Sequence, residues 1–372
     1  MNKHIRRENT IIKHLLNLAQ LKTALYPVLL FVLLCGALQA QDIHYSQFYN
    51  APINLNPALT GVFRGDARFM GNYRSQWKAV PVDYLTFTGA ADKKFYPKDS
   101  DKNGLFSAGI TFNYDRAGLS NLQLAQLGLS GSYAHRLTSK SFLSIGAQLT
   151  GNNRSFDMDE LTFDNNFDPG RGQVDPGLPN GENFPSTNKF FLGLGAGLNL
   201  RLQNLSDADL VDDGAKRTKL DVGVGLFNIN RPDQSFYDGY KSRLFMRISP
   251  YASAVVQLGG RKMPFDLVGN ITWQFQGPYE EKLGMLGIRW HADFEPDNQI
   301  WFQLGSGYRF DNFGDAVYPT IEVFYKGLHV GANYDINVSS FNIATRRRGG
   351  FELSARYIIN RVPSLIKVCP FI

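Results

Sequence analysis

The chain has 372 residues, with 39 Lys and Arg against 33 Asp and Glu, and two cysteines. Residues 1–40 hold five of the basic groups and one acid, so without them the formal charge falls from +6 to +2, and charge gives no argument for nucleic-acid binding. Cys369 is the one cysteine after residue 40, which excludes an internal disulfide, and no later stretch reaches the ~18 apolar residues of a membrane helix.

In chain order, residues 1–22 are basic, residues 24–38 form an apolar run broken by Pro27, and Leu38-Gln39-Ala40 is a small-residue cleavage signal. This predicts a secretory signal peptide over residues 1–40. A lipid anchor on Cys35 would need a small residue before it, and Leu34 stands there. Residues 41–64 come next and contain "QFYNAPINLNPALTG", in which Asn50, Asn54, Asn56, Pro52 and Pro57 interrupt every short apolar run. Proline cannot donate to a ladder and asparagine satisfies turn backbone, so this is no central strand; Asn56-Pro57 predicts a turn. Ile53, Leu55 and Leu59 have no lipid to face there, so the segment is expected to fold inward, closing the periplasmic mouth or plugging the lumen, or to present a partner surface.

From residue 65 the chain alternates. Residues 328–338 set Leu328, Val330, Ala332, Tyr334, Ile336 and Val338 against His329, Gly331, Asn333, Asp335 and Asn337. Residues 190–203 repeat this, with leucines and Ala196 opposite Gly193, Gly195, Gly197, Asn199, Arg201 and Gln203. Apolar rows of about ten residues opposite rows of Gly, Asn, Gln and Arg mark lipid-facing and lumen-facing sides of one wall. The fold class is therefore all-β, a transmembrane antiparallel β-barrel over residues 65–360, with a tail at 361–372. Fourteen segments fit the pattern: 65–76, 82–94, 104–115, 120–137, 141–151, 188–203, 216–228, 243–259, 264–276, 281–291, 299–310, 316–326, 328–338 and 349–359. An even count places both barrel ends in the periplasm and the long connection 152–187 outside. The row Leu122, Leu124 shifts to Ala125, Leu127, Leu129, and Pro250 interrupts another strand, which a bulge or a misplaced strand boundary would explain in each case. Trp77, Tyr114, Tyr133, Trp273, Trp290, Trp301, Tyr308, Tyr325 and Tyr357 lie near strand ends, as an interfacial girdle requires.

The run "QDIHYSQFYNAPINLNPALTGVFRGDARFMGNYRSQW" holds Gln47-Phe48-Tyr49, Asn56-Pro57-Ala58-Leu59-Thr60-Gly61 and Asn72-Tyr73-Arg74-Ser75-Gln76-Trp77. With the terminal Cys369-Pro370-Phe371, followed here by an extra Ile372, it resembles the PorP/SprF family of type IX secretion system membrane proteins. The resemblance implies an outer-membrane barrel that supports export and surface attachment of secreted adhesins, through the adhesin or its C-terminal sorting domain. It also implies contact with periplasmic secretion or peptidoglycan-associated proteins. Plug or partner-contact candidates are Phe48, Tyr49, Asn54, Asn56, Pro57, Gly61 and Cys369. A different class, a channel or transporter for small or hydrophobic solutes, suits a barrel of this strand number as well.

Enzymatic signals are weak. His44, His135, His291 and His329 have no spacing for metal ligation or a nucleophile and base, so they read as lumen or interface polar groups. Gly193, Gly195 and Gly197 alternate within a strand with no helix after them; small inner-face residues leave room for a plug or ease curvature. In "DNNFDPGRG" Asp164, Asn166 and Asp168 alternate as calcium ligands would, but Pro169 occupies the turn-glycine position, so an Asx-type turn is expected. Arg346-Arg347-Arg348 reads as a solvated outer loop. In the first strand Arg68, Asn72, Arg74 and Gln76 share the lumen row, where the arginines need carboxylates such as Glu322, Asp335 or Glu352. No catalytic, cofactor or metal site is assigned.

Overall fold

A computed structural model describes residues 43–360, apart from connections at 77–83, 96–102, 119, 159–160, 176, 179–180, 182–184, 206–215, 238, 261–262, 294–297, 312–315 and 339–347. The expected signal peptide and the tail at 361–372 lie outside the described residues.

Fourteen long strands close a barrel in which each pairs antiparallel with its neighbours in sequence. They are β1 (Ala67–Gln76), β2 (Tyr84–Phe95), β3 (Gly104–Ala117), β4 (Leu122–Thr138), β5 (Ser141–Ser155), β6 (Asn188–Gln203) and β7 (Lys219–Phe227). The second half comprises β8 (Arg247–Gln257), β9 (Phe265–Gln276), β10 (Tyr279–Asp293), β11 (Ile300–Asp311), β12 (Ala316–Tyr325), β13 (Leu328–Asn337) and β14 (Arg348–Ile359). Every expected segment is one of these strands, with ends within a few residues. Closure comes from β1 against β14, in register from Ala67 opposite Ile359 to Gln76 opposite Gly350. In hydrocarbon an open edge would leave a row of unpaired amides and carbonyls, so closure is what lets the sheet span lipid.

Alternation sorts the side chains as the pattern requires. On β6 Leu192, Leu194, Leu198 and Leu202 point out and are exposed, while Asn199 and Arg201 point in and are buried. No helix among the described residues is long and apolar enough to cross a membrane; the strands cross instead. Long connections gather at one end of the barrel, where 156–187 carries a short ladder between Phe167–Asp168 and Gln173–Val174. The other end has tight turns, such as Lys326-Gly327 with both residues at positive φ, but also the long connection 204–218 between β6 and β7, which departs from the rule of short periplasmic turns.

Register and parity decide three details. The phase change at Leu124–Ala125 is no bulge, because β3 and β4 pair without a slip from Ala117–Leu122 to Gly104–His135. Pro250 keeps the β8 register too; it only leaves its missing amide unpaired toward β9, where Thr272 donates to the Pro250 carbonyl at 3.0 Å. The register shifts fall instead at Arg136/Thr138, His291/Asp293 and Asp335/Ile336. Trp301 does not join the girdle. Its parity on β11 places it on the inner row with Gln303, and it is 5% exposed, stacked on Phe324 at 5.3 Å.

Leu304, 65% exposed at mid-strand on β11, tests the sidedness of the wall. Leu304→Arg is expected to cost about 2–4 kcal/mol in a bilayer unfolding titration, whereas Leu304→Val costs under about 1 kcal/mol.

Candidate functional site

Residues 43–66 do not join the wall; they run down the inside of the barrel. Three short turns shape them: Phe48–Asn50, Pro52–Leu55 and Pro57–Leu59. Pro52 and Pro57 each open a turn, where the amide that proline lacks would have had no helical partner. Between these turns Asn56 is extended and caps the last one, its Oδ1 accepting from the Ala58 amide at 2.8 Å. At the long-loop end Arg247 donates to the carbonyls of Ile43 and Asn54, at 2.9 and 2.8 Å. At the short-turn end the Asp66 amide donates to the Ile359 carbonyl at 2.9 Å, and the chain enters β1.

One half of the lumen is nearly free of side chains at the depth where this plug crosses it. Ser107, Ser132, Gly146, Gly197, Gly225 and Ser249 are successive register partners across β3, β4, β5, β6, β7 and β8. They form a continuous belt around the inner wall, on which residues 55–61 lie backbone-first. A Cβ at Gly197 would overlap Asn56 Oδ1, one at Gly225 the Leu55 carbonyl, and one at Gly146 the Ala58 nitrogen. Polar groups fix the contact. Asn56 Nδ2 donates to the Leu198 carbonyl at 2.8 Å, Thr60 Oγ1 donates to Ser130 at 3.0 Å, and Ser132 Oγ donates to the Thr60 carbonyl at 2.6 Å. Gly61, at φ +75°, lies over Ser107 and donates to Asp92 at 2.7 Å.

The opposite half is ionic. Arg74 pairs with Asp335 and Glu352, each at 3.1 Å, and donates to the His44 carbonyl at 3.0 Å. Arg309 joins the group through Asp335 at 2.8 Å and Glu281 at 3.4 Å. Glu352 receives the Ser46 and Gln47 amides at 2.7 and 3.0 Å, so the plug backbone completes the network. Tyr49 donates to Glu322 at 2.7 Å; burial, reinforced by the Glu322 charge, pushes this phenol well above its ordinary range and keeps it a donor. Between the halves Phe48, Leu55, Leu59 and Val62 pack with Tyr251, Val255, Leu283 and Tyr318 into a small apolar core.

The structure thus brings most of the sequence-derived residues together. Phe48, Tyr49, Asn54, Asn56, Pro57 and Gly61 all sit inside the lumen, with Asn54 Nδ2 donating to Asn113 at 2.9 Å. Arg68, Asn72, Arg74, Gln76, Glu322, Asp335 and Glu352 face them from the wall. The pairing differs in one respect: Arg68 is matched by Asp92 at 2.7 Å, whereas Glu322 is bonded to His329 at 2.7 Å. Asp92, Arg309, Arg247 and the glycines Gly146 and Gly225 are not among the residues the sequence pattern singles out; each lies on an inward row, where register places Asp92 opposite Arg68 and aligns the two glycines with Gly197, while Arg247 and Arg309 find their partners in the plug carbonyls and in Asp335 and Glu281. In the outer loop Asp168 Oδ1 accepts from the Gly170 amide at 2.8 Å in an Asx turn. Cys369, Trp77, Arg346, Arg347 and the side chain of Arg348 lie outside the described residues.

Gly197→Val should lift the plug from the belt. In a Cys369→Ser background Ala58→Cys is expected to be shielded from maleimide in the intact barrel and labelled once Gly197→Val is added. Asp335→Asn leaves Arg74 and Arg309 short of a carboxylate and is expected to cost about 3–5 kcal/mol, read as a lower calorimetric Tm.

Comparison with known proteins places this lumen in a family. No curated protein is similar at a significant level. Among solved structures, the CymD monoaromatic hydrocarbon channel aligns at 10% identity over 84% of this chain and 93% of its own, with a TM-score of 0.46. A Pseudomonas aeruginosa FadL homologue aligns at 14% identity over 81% of this chain and 92% of its own, with a TM-score of 0.43. Residues 37–357 match the family model described as "Type IX secretion system membrane protein PorP/SprF". The chain belongs to the PorP/SprF family of type IX secretion system membrane proteins.

Proposed function

We propose that this barrel is an outer-membrane component of type IX secretion that supports export and surface attachment of secreted adhesins through protein contacts, with its lumen kept occupied. The observation that carries this reading is the plug. Asn56, Ala58 and Gly61 are built into the wall by backbone contact and hydrogen bonds, which suits a fixed scaffold better than an open conduit. Short turns face the periplasm in barrels of this kind, so the end bearing 156–187 and 228–246 faces outward. That end offers loops to an adhesin or its C-terminal sorting domain. The short-turn end faces periplasmic secretion or peptidoglycan-associated proteins. The role proposed is non-enzymatic, in keeping with membership of a family of secretion-system membrane proteins; His291 and His329 are each bonded to a wall carboxylate, Asp266 and Glu322, at 2.7 Å.

Deleting the gene is expected to abolish surface display of a particular adhesin while small-solute uptake persists; loss of uptake with display intact supports the rival channel reading instead. In planar bilayers the purified barrel should give no steady conductance steps, and a variant lacking residues 43–61 should give them.

A further inference from the structure

Below the plug, toward the short-turn end, lies a lumen cavity of about 310 Å³ that the plug contacts leave unused. Its described lining carries eight Arg and Lys side chains and three carboxylates. The carboxylates are committed. Asp221 holds Arg201 at 2.8 Å, Asp266 holds Arg217 at 2.8 Å, and Glu322 accepts from Tyr49, Gln303 and His329. Arg68 is matched from behind the cavity by Asp92.

Lys219, Arg289 and Arg356 have no carboxylate partner among the described residues. Lys219 opens β7 on the inner row, in register with Gln203 and Val255. Arg289 lies over the Trp301 ring at 4.0 Å and donates to Gln303 Oε1 at 2.9 and 3.1 Å. Arg356, from β14, has a buried Nε with no acceptor. The three are within electrostatic reach of one another, and the carboxylates that also reach them, Asp221, Asp266, Glu322 and Asp92, are those already committed to Arg201, Arg217, His329 and Arg68. Lys219 is exposed and Arg289 and Arg356 are half-buried, and cations gathered in one cleft whose carboxylates are committed concentrate a counter-ion there.

We propose that this cavity binds a small polyanion, bearing phosphate or carboxylate groups, that enters from the short-turn, periplasmic end. Lys219, Arg289 and Arg356 neutralise it. The two guanidinium forks suit the paired oxygens of either group, and the volume lies in the range of small-ligand sites. Lys216 and Gln299, on the lining at the short-turn ends of β7 and β11, mark the side of entry.

The test is calorimetric titration of the purified, detergent-solubilised barrel with inorganic pyrophosphate and, separately, with citrate, at matched ionic strength. Saturable one-site binding of either is expected; pyrophosphate alone names a phosphate ligand, citrate alone a carboxylate ligand, and both together a site that reads charge. Lys219→Met, Arg289→Gln and Arg356→Gln are each expected to weaken binding about tenfold, while Lys189→Gln at the long-loop end leaves it unchanged. Absence of saturable heat with both anions overturns the proposal, as does binding that survives all three substitutions in a folded barrel. If a variant fails to fold, tungstate soaked into wild-type crystals must give an anomalous peak beside the three side chains, and its absence is equally decisive. The readout is on the isolated barrel and stands apart from any secretion phenotype.

Discussion

A polypeptide can lie flat against the inside of a β-wall only where the wall has no side chains in the way. Ser107, Ser132, Gly146, Gly197, Gly225 and Ser249 provide that clearance across six strands, and the rest of the lumen follows from it. Because residues 55–61 approach to backbone distance, Asn56 can reach the Leu198 carbonyl and Ser132 the Thr60 carbonyl. A barrel of this circumference with alanines or valines in those places would hold the plug off by the height of a side chain. The hydrogen bonds would then be lost, leaving polar groups to be met by water.

The ionic half answers a different need. Ser46 and Gln47 are buried, and Glu352 receives both of their backbone amides. A carboxylate placed there needs its own compensation, which Arg74 supplies, and Asp335 then serves Arg74 and Arg309 together. Removing one member strands a charge, so this half is stable as a set and fragile in its parts. Together the belt and the network hold the segment from opposite sides. That is why protein contact, rather than solute passage, is the natural function to propose for a family member built this way.

The barrel was legible because lipid and lumen impose period 2 on every strand, and a strand as regular as β13 can be read in a single pass. The lumen partners were less legible because a pair across the wall depends on register, which alternation does not give. Arg68 could be placed on the inner row, but its partner Asp92 sits opposite it only once β1 and β2 are aligned. Trp301 misled for a different reason: closeness to a strand end suggests a girdle, whereas its parity with Gln303 and Arg309, which alternation does give, turns it inward. Gly197 was readable as room for a plug; Gly146 and Gly225 gained that meaning only as its neighbours in register. The prolines and asparagines of the opening segment showed that it was no strand, and the barrel supplied the place for it.

The central claim is that the segment is seated in the wall while the protein works. Thr60 Oγ1 and Ser130 Oγ are 3.0 Å apart, so Thr60→Cys with Ser130→Cys in a Cys369→Ser background gives a direct test by disulfide trapping in intact cells. The account predicts that the crosslink forms and that adhesin display continues with the plug locked. Failure to crosslink, or display that stops when the bond forms and returns on reduction, would contradict it.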